Sequence, residues 1–188
     1  MGVCTARASR PAVDRAADGE RLASYAADLI ALATATGETE TPIIAAYAAV
    51  AEEPPTRDLL DALKAHRATV LLPLLTNDDT LDWAPYESWD ALQTVRWGLL
   101  EPTTQERLGP RALAGADLVV VPALAVDYDG NRLGRGRGFY DRALVNVDHE
   151  RCVAVVYATE LVEHVPTEPH DEPVGWVLTP DGLVRRRW

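Results

Sequence analysis

The order of elements along this chain predicts an α/β fold, a sandwich of helices on a largely parallel sheet. Short apolar runs of strand length alternate with stretches of helical periodicity. The strongest run, 117–122 (DLVVVP), is apolar at every interior position, as expected of a strand covered on both faces. Strand, helix, strand, helix in succession is the pattern that lays strands side by side in one direction.

Residues 20–36 are rich in Ala and Leu at helical spacing and predict a helix. Pro42 opens an apolar run predicted as a strand over 43–50, and Thr56 is placed to cap a helix through about His66. In that helix Leu59, Leu60 and Leu63 share one face. The run 69–75 (TVLLPLL) reads as a buried strand whose internal proline marks an edge, a bulge or the end of pairing. After a mixed stretch and the strand at 117–122 come a helix from about Phe139, a strand at 152–157 and a last strand near 174–178. The basic tail Arg185, Arg186, Arg187 reads as solvated. With 188 residues and neither repeat nor linker, residues 1–188 are expected to form a single domain.

The formal net charge is −11, which argues against a nucleic-acid or membrane-surface binder. No run of about 18 apolar residues suggests a membrane span, and no apolar signal core opens the chain. Cys4 and Cys152 make neither a disulfide framework nor a zinc pattern, so a reduced, cytoplasmic setting is expected. Of the 18 basic residues one, Lys64, is lysine, which leaves 17 arginines. Any anion must therefore meet arginine.

Four of them, Arg132, Arg135, Arg137 and Arg142, fall within 127–142 (DYDGNRLGRGRGFYDR). This segment follows the buried strand and precedes a helix, where parallel sheets bind ligands. Asp129-Gly130 supplies a tight turn. Gly134, Gly136 and Gly138 alternate with arginines, leaving backbone N–H groups free to curl around an anion. The helix start aims further N–H groups at the same place. This reads as a polyphosphate cradle, with Asp141 placed as a Mg²⁺ ligand beside the phosphates. Neither the P-loop nor the dinucleotide-binding spacing is present.

The segment GNRLGRGRGFYDR resembles the signature of the 5-formyltetrahydrofolate cyclo-ligase family. Four further pieces agree in order: Glu53-Pro-Pro-Thr56 after a Tyr47-containing strand, Trp97-Gly-Leu-Leu-Glu101-Pro102, Asp117-Leu-Val-Val-Val-Pro122, and Pro166-Thr-Glu-Pro-His-Asp171 followed by Val177-Leu-Thr179. The likeness is clearest over 43–180. It implies a three-layer, mostly parallel sandwich like that of the ribose-phosphate isomerase and CoA-transferase group. The implied activity is ATP- and Mg²⁺-dependent conversion of 5-formyltetrahydrofolate to 5,10-methenyltetrahydrofolate, with release of ADP and phosphate.

By the same resemblance the ATP loop falls on Arg132, Leu133, Gly134, Arg135, Gly136, Arg137, Gly138, Phe139 and Tyr140, with Arg137 and Tyr140 acting in catalysis. Folate contacts fall on Ala48, Glu53, Trp97 and Tyr140, and Mg²⁺ carboxylates on Asp141 and Asp171. A carboxylate such as Glu53 suits the N–H donors of a pterin, and Trp97 offers a face for stacking. The implied partners are folate and ATP, in a monomer or weak homodimer.

The family's N-terminal Lys and Arg, four residues apart, map onto Val3 and Arg7. Val3 departs from the pattern: Arg10 substitutes, a longer chain begins elsewhere, or nucleotide binding is weakened. Two rival readings accompany this one: a non-catalytic folate or nucleotide binder, and a sugar-phosphate isomerase or CoA-transferase type of enzyme using Glu53 as its carboxylate. His66, His149 and His164 lack ligand-like spacing, and Trp83 reads as a core residue.

Overall fold

The computed structural model describes residues 3–35, 40–168 and 170–187. Helices α1 (Val3–Ala8), α2 (Ala12–Ser24) and α3 (Ala26–Ala33) precede strand β1 (Ile43–Ala45), helix α4 (Arg57–Ala65) and strands β2 (Thr69–Leu75) and β3 (Leu81–Pro85). A small hairpin, β4 (Leu92–Thr94) and β5 (Leu100–Pro102), leads to β6 (Leu118–Pro122). Then come β7 (Ala125–Asp127), β8 (Arg132–Leu133), α5 (Phe139–Leu144), β9 (Cys152–Val155), β10 (Leu161–Val162), β11 (Trp176–Thr179) and β12 (Gly182–Arg185).

Seven strands form the main sheet in the order β12-β11-β9-β6-β1-β2-β3. The inner pairings are parallel, and β3 and β12 close the two edges antiparallel. The predicted α/β sandwich with a mostly parallel sheet is what forms. Alternation along the strands sorts the core into two clusters. Ile44, Val70, Leu118 and Val120 pack under α2, α3 and α4, whereas Ala45, Leu71, Val119 and Val121 face Leu113 and Leu144 on the other side. Trp83 is buried in the second cluster, and Cys152 is buried there too, its thiol pushed up to about 12 by burial.

Four local expectations are corrected. The helix expected over 20–36 begins earlier, breaks at Tyr25 into α2 and α3, and its last residue, Thr36, lies outside the described residues. The strand expected over 43–50 pairs only at Ile43–Ala45. Beyond it the chain is held by Thr56, whose hydroxyl accepts from the Ala49 N–H and donates to the Tyr47 carbonyl. That hydroxyl is therefore not the helix cap it resembled. Pro73 marks the end of pairing: β2 bonds β1 only as far as Leu71, while β3 continues alongside. The basic tail is structured, since β12 pairs with β11, Arg185 bonds Glu150, and the Arg187 N–H donates to the Tyr128 carbonyl.

Two buried carboxylates hold the parts that matter for the site. Arg7 on α1 reaches Glu160 just after β9, Nε to Oε1 at 2.6 Å and Nη2 to Oε2 at 2.7 Å, and Nη2 also donates to the Ala123 carbonyl at 2.7 Å. Both side chains are almost wholly buried. Asp127, at the end of β7, is 1% exposed. Its Oδ1 accepts from the main-chain N–H of Asp129 and Asn131, and its Oδ2 from Asn131 Nδ2 and the Val165 N–H. The carboxylate thus folds the 127–131 turn, sets β8 antiparallel to β7, and ties both to the segment after β10. Gly130 completes the turn at φ +87, with the Val174 carbonyl only 2.2 Å from where a Cβ would stand.

Glu160→Ala is expected to destabilise the protein by about 3–5 kcal/mol in urea unfolding at pH 7, because it leaves the Arg7 guanidinium buried and unpaired. For Asp127, burial alone would raise the carboxyl, but the Asn131 side chain and the surrounding N–H donors outweigh it and hold it below its ordinary 3.8. A depressed carboxyl stabilises the fold above its ordinary value and loses that contribution as pH falls through its lower folded value. Asp127→Asn should therefore cost about 2–3 kcal/mol at pH 7. The gap to wild type should close progressively below pH 3.8 in denaturant titrations, and a gap independent of pH would refute this role.

Candidate active site

The glycine loop opens from β8 at the carboxyl end of the sheet and curls into α5. Gly136 and Gly138 take φ +79 and +64, a region that favours glycine, and Gly138 immediately precedes α5. Because α5 has six residues, its dipole adds little, and the arginines carry the positive charge. Their placements differ. Arg132 is nearly buried and pairs with Asp141. Arg135 reaches across to Glu53 at 3.2 Å. Arg137 lies over the Trp97 ring, 3.8 Å from its centroid. Arg142 straps the loop from outside, donating to the Arg137 and Asp79 carbonyls.

Between this loop and the sheet lies a cavity of about 400 Å³. Its apolar wall comes from β2 and β3 through Pro73, Leu75 and Leu81. A second wall is the stretch past β1, contributing Tyr47, Ala48 and Glu53. Trp97 closes a third side from the β4–β5 hairpin, half-exposed at 47% and at φ +58, with Phe139 6.0 Å from its ring. Glu101 supports that hairpin by accepting the Leu75 N–H at 2.7 Å.

Glu53 is the acidic group of this wall. Oε2 accepts the Val50 N–H at 3.0 Å and Oε1 faces Arg135. Burial raises its carboxyl, against the pull of the Val50 N–H and of Arg135 and Arg7. Tyr47 and Tyr140 are pushed upward by burial first and by the Glu53 charge second. Both phenols therefore remain protonated donors at neutral pH.

The structure gathers most of the residues singled out from sequence. Ala48, Glu53, Trp97, Arg132, Gly134, Arg135, Gly136, Arg137, Gly138, Phe139, Tyr140 and Asp141 all line the one cavity. Three do not. Leu133 turns outward at 39% exposure, its backbone occupied in the β7–β8 pairing. Arg7 does not line the cavity: its Nε and Nη2 bond Glu160 and the Ala123 carbonyl, while Nη1 is buried without a partner among the described residues. Asp171 is in the loop before β11, where its carboxylate accepts the Glu168 N–H at 2.7 Å, and it does not line the cavity. Among the described residues no group of three or more His, Cys, Asp or Glu side chains is placed to hold a metal. Tyr47 is the wall residue that sequence reasoning noted only in passing. Its signal was a lone aromatic side chain in an alanine-rich stretch.

The family model described as the 5-formyltetrahydrofolate cyclo-ligase family matches residues 7–180. A 5-formyltetrahydrofolate cyclo-ligase of Mycolicibacterium smegmatis is 42% identical over 151 residues, 77% of each chain. One of Escherichia coli is 35% identical over 129 residues, 66% of this chain and 70% of that one. Among solved structures, the 5,10-methenyltetrahydrofolate synthetase of Aquifex aeolicus superposes with TM-score 0.72 at 25% identity, covering 98% of this chain and 89% of that one. That of Mycoplasma pneumoniae, at TM-score 0.65 and 16% identity, covers 93% of this chain and 92% of that one and shares the fold. With four of the five ordered motifs contributing to one cavity and the family model matching residues 7–180, the chain belongs to the 5-formyltetrahydrofolate cyclo-ligase family.

Proposed function

We propose that this protein converts 5-formyltetrahydrofolate to 5,10-methenyltetrahydrofolate, consuming ATP to ADP and phosphate. The observation that carries the reading is the meeting of two walls. The glycine loop's Arg135 and Arg137 touch Glu53 and Trp97 directly, so a nucleotide on the loop and a folate on the opposite wall share one cavity. Group transfer needs that proximity.

The substrate's formamide carbon is a poor electrophile until its oxygen becomes a leaving group. The formyl oxygen attacks the γ-phosphorus, the bond to the β-phosphate oxygen breaks, and ADP leaves. N10 then attacks the formyl carbon and loses its proton, while phosphate departs with the C–O electron pair and the 5,10-methenyl bridge remains. Such a transfer asks the protein chiefly for positioning and charge neutralisation. Glu53 accepts from the pterin N–H donors, Trp97 stacks, the loop N–H groups cradle the phosphates, and Arg137 stabilises the moving phosphoryl group. Tyr140, a protonated phenol beside Glu53, donates within the same pocket.

Mg²⁺ fits this arrangement on one carboxylate. Asp141 lines the cavity beside the loop, and one carboxylate with phosphate oxygens is a usual magnesium environment. Bound there, the ion would neutralise phosphate charge. Asp171 lacks that placement.

Purified protein with ATP, Mg²⁺ and 5-formyltetrahydrofolate is expected to develop the methenyl absorbance band, and omission of ATP should abolish it. No band from folded protein, beside a working control enzyme, overturns the reading. Arg137→Ala should lower kcat about 10²–10³-fold with thermal unfolding unchanged. Asp141→Asn should raise the Mg²⁺ concentration for half-maximal rate by about tenfold or more, the scale of losses at perturbed metal sites. Asp171→Asn should leave it nearly unchanged, and an equal response from both variants would exclude Asp141 as the sole protein ligand.

A further inference from the structure

Tyr47 is 5% exposed, lines the cavity, and has a buried hydroxyl with no hydrogen-bond partner among the described residues. Such groups are rare in folded proteins, because a buried polar atom without a partner has lost its water and gained nothing in return. Of the charged groups around this hydroxyl, the two carboxylates are engaged, while Arg7 Nη1 is, like the hydroxyl, buried without a partner among the described residues. Glu53 holds the Val50 N–H and Arg135, Glu160 holds Arg7 and the Tyr157 N–H, and Arg7 Nη2 donates to Ala123. Nor does any backbone group among the described residues bond it, and Tyr47 lines the same cavity as Glu53 and Tyr140, two of the groups acting on its phenol.

The edge of a 2-amino-4-oxo pteridine presents two donors and one acceptor in a row: the 2-amino group, N3–H and the 4-oxo oxygen. A carboxylate satisfies the two donors and leaves the oxygen needing a donor beside them. We propose that Tyr47 is a specificity-determining residue whose hydroxyl donates to the 4-oxo group of the folate while Glu53 accepts from N3–H and the 2-amino group. This rests on the reading that Glu53 faces the pterin. Burial and the neighbouring Glu53 charge keep the phenol protonated, so it is a donor throughout the neutral range. A site built to pair a polar substrate group rejects the analogue that lacks it more strongly than an apolar pocket does.

The test is a double-mutant cycle in calorimetry, using wild type and Tyr47→Phe against 5-formyltetrahydrofolate and its 4-amino analogue. The variant should bind the 4-oxo ligand about tenfold more weakly, the worth of one hydrogen bond. Its affinity for the 4-amino ligand should be essentially unchanged, so the preference for the oxo compound collapses. Whatever Glu53 contributes to discrimination is common to both proteins and cancels in the cycle. In turnover the loss should appear in KM with kcat retained. Because the hydroxyl has no partner in the ligand-free protein, Tyr47→Phe should leave its Tm unchanged or raise it, whereas a structural hydrogen bond would make it fall. Equal weakening toward both ligands, or no weakening toward the oxo compound, overturns the proposal. Failure of wild type to bind 5-formyltetrahydrofolate overturns the folate reading itself, and with it this inference.

Discussion

The buried carboxylate of Asp127 is the constraint from which the site's geometry follows. It gathers four hydrogen bonds from two segments, three from the 127–131 turn and one from the Val165 N–H after β10. The two-residue strand β8 has too few ladder bonds to place itself, so its position derives from this carboxylate and from Gly130 pressed against Val174. Arg132, the first residue of β8, then pairs with Asp141 on α5 and fixes both ends of the glycine loop. A flexible run of glycines thereby becomes a loop of defined path whose middle, 134–138, lines the cavity.

The parallel sheet sets where that loop can act. β1 and β6 end side by side, and the chain leaving each turns toward the same cavity: Tyr47, Ala48 and Glu53 from one, Pro122 and Ala123 from the other. At this end the ladder gives out, so side chains satisfy the backbone instead. Thr56 holds Ala49 and the Tyr47 carbonyl, Glu53 holds Val50, and Glu101 holds Leu75. Residues that look like binding groups in the sequence are thus partly scaffolding. Glu53 lines the cavity and is scaffold as well, since one oxygen is tied to its own turn and the other is turned to Arg135.

The features written in local pattern were legible in the sequence. The strand at 117–122 stood out because both its faces are covered, and α4 because Leu59, Leu60 and Leu63 share a face. The glycine loop was legible because its chemistry is local as well. What escaped depends on long-range pairing. Arg7 finds Glu160 across 153 residues, and no spacing rule could distinguish that partner from a phosphate. The tail Arg185–Arg187 carries charges like any solvated end, yet its backbone completes an edge strand that only the sheet can reveal. Tyr47 was visible as an aromatic residue, but a hydroxyl without a partner is a property of its surroundings.

A net charge of −11 and a site for anions are compatible because the two act at different ranges. At physiological ionic strength the Debye length is about 8 Å, so exposed acidic groups beyond that distance are largely screened from a ligand in the cavity. Arg132, Arg135 and Arg137 line the cavity itself, within reach of a ligand there, with Arg132 and Arg135 partly neutralised by Asp141 and Glu53. Their being arginine rather than lysine also matters. A guanidinium can stack on an aromatic ring and still present its N–H groups at the edge, whereas an ammonium offers only a point charge, and Arg137 sits over the Trp97 ring. The near absence of lysine from the chain therefore does not weaken this loop, because stacking and forked donation are what its geometry uses.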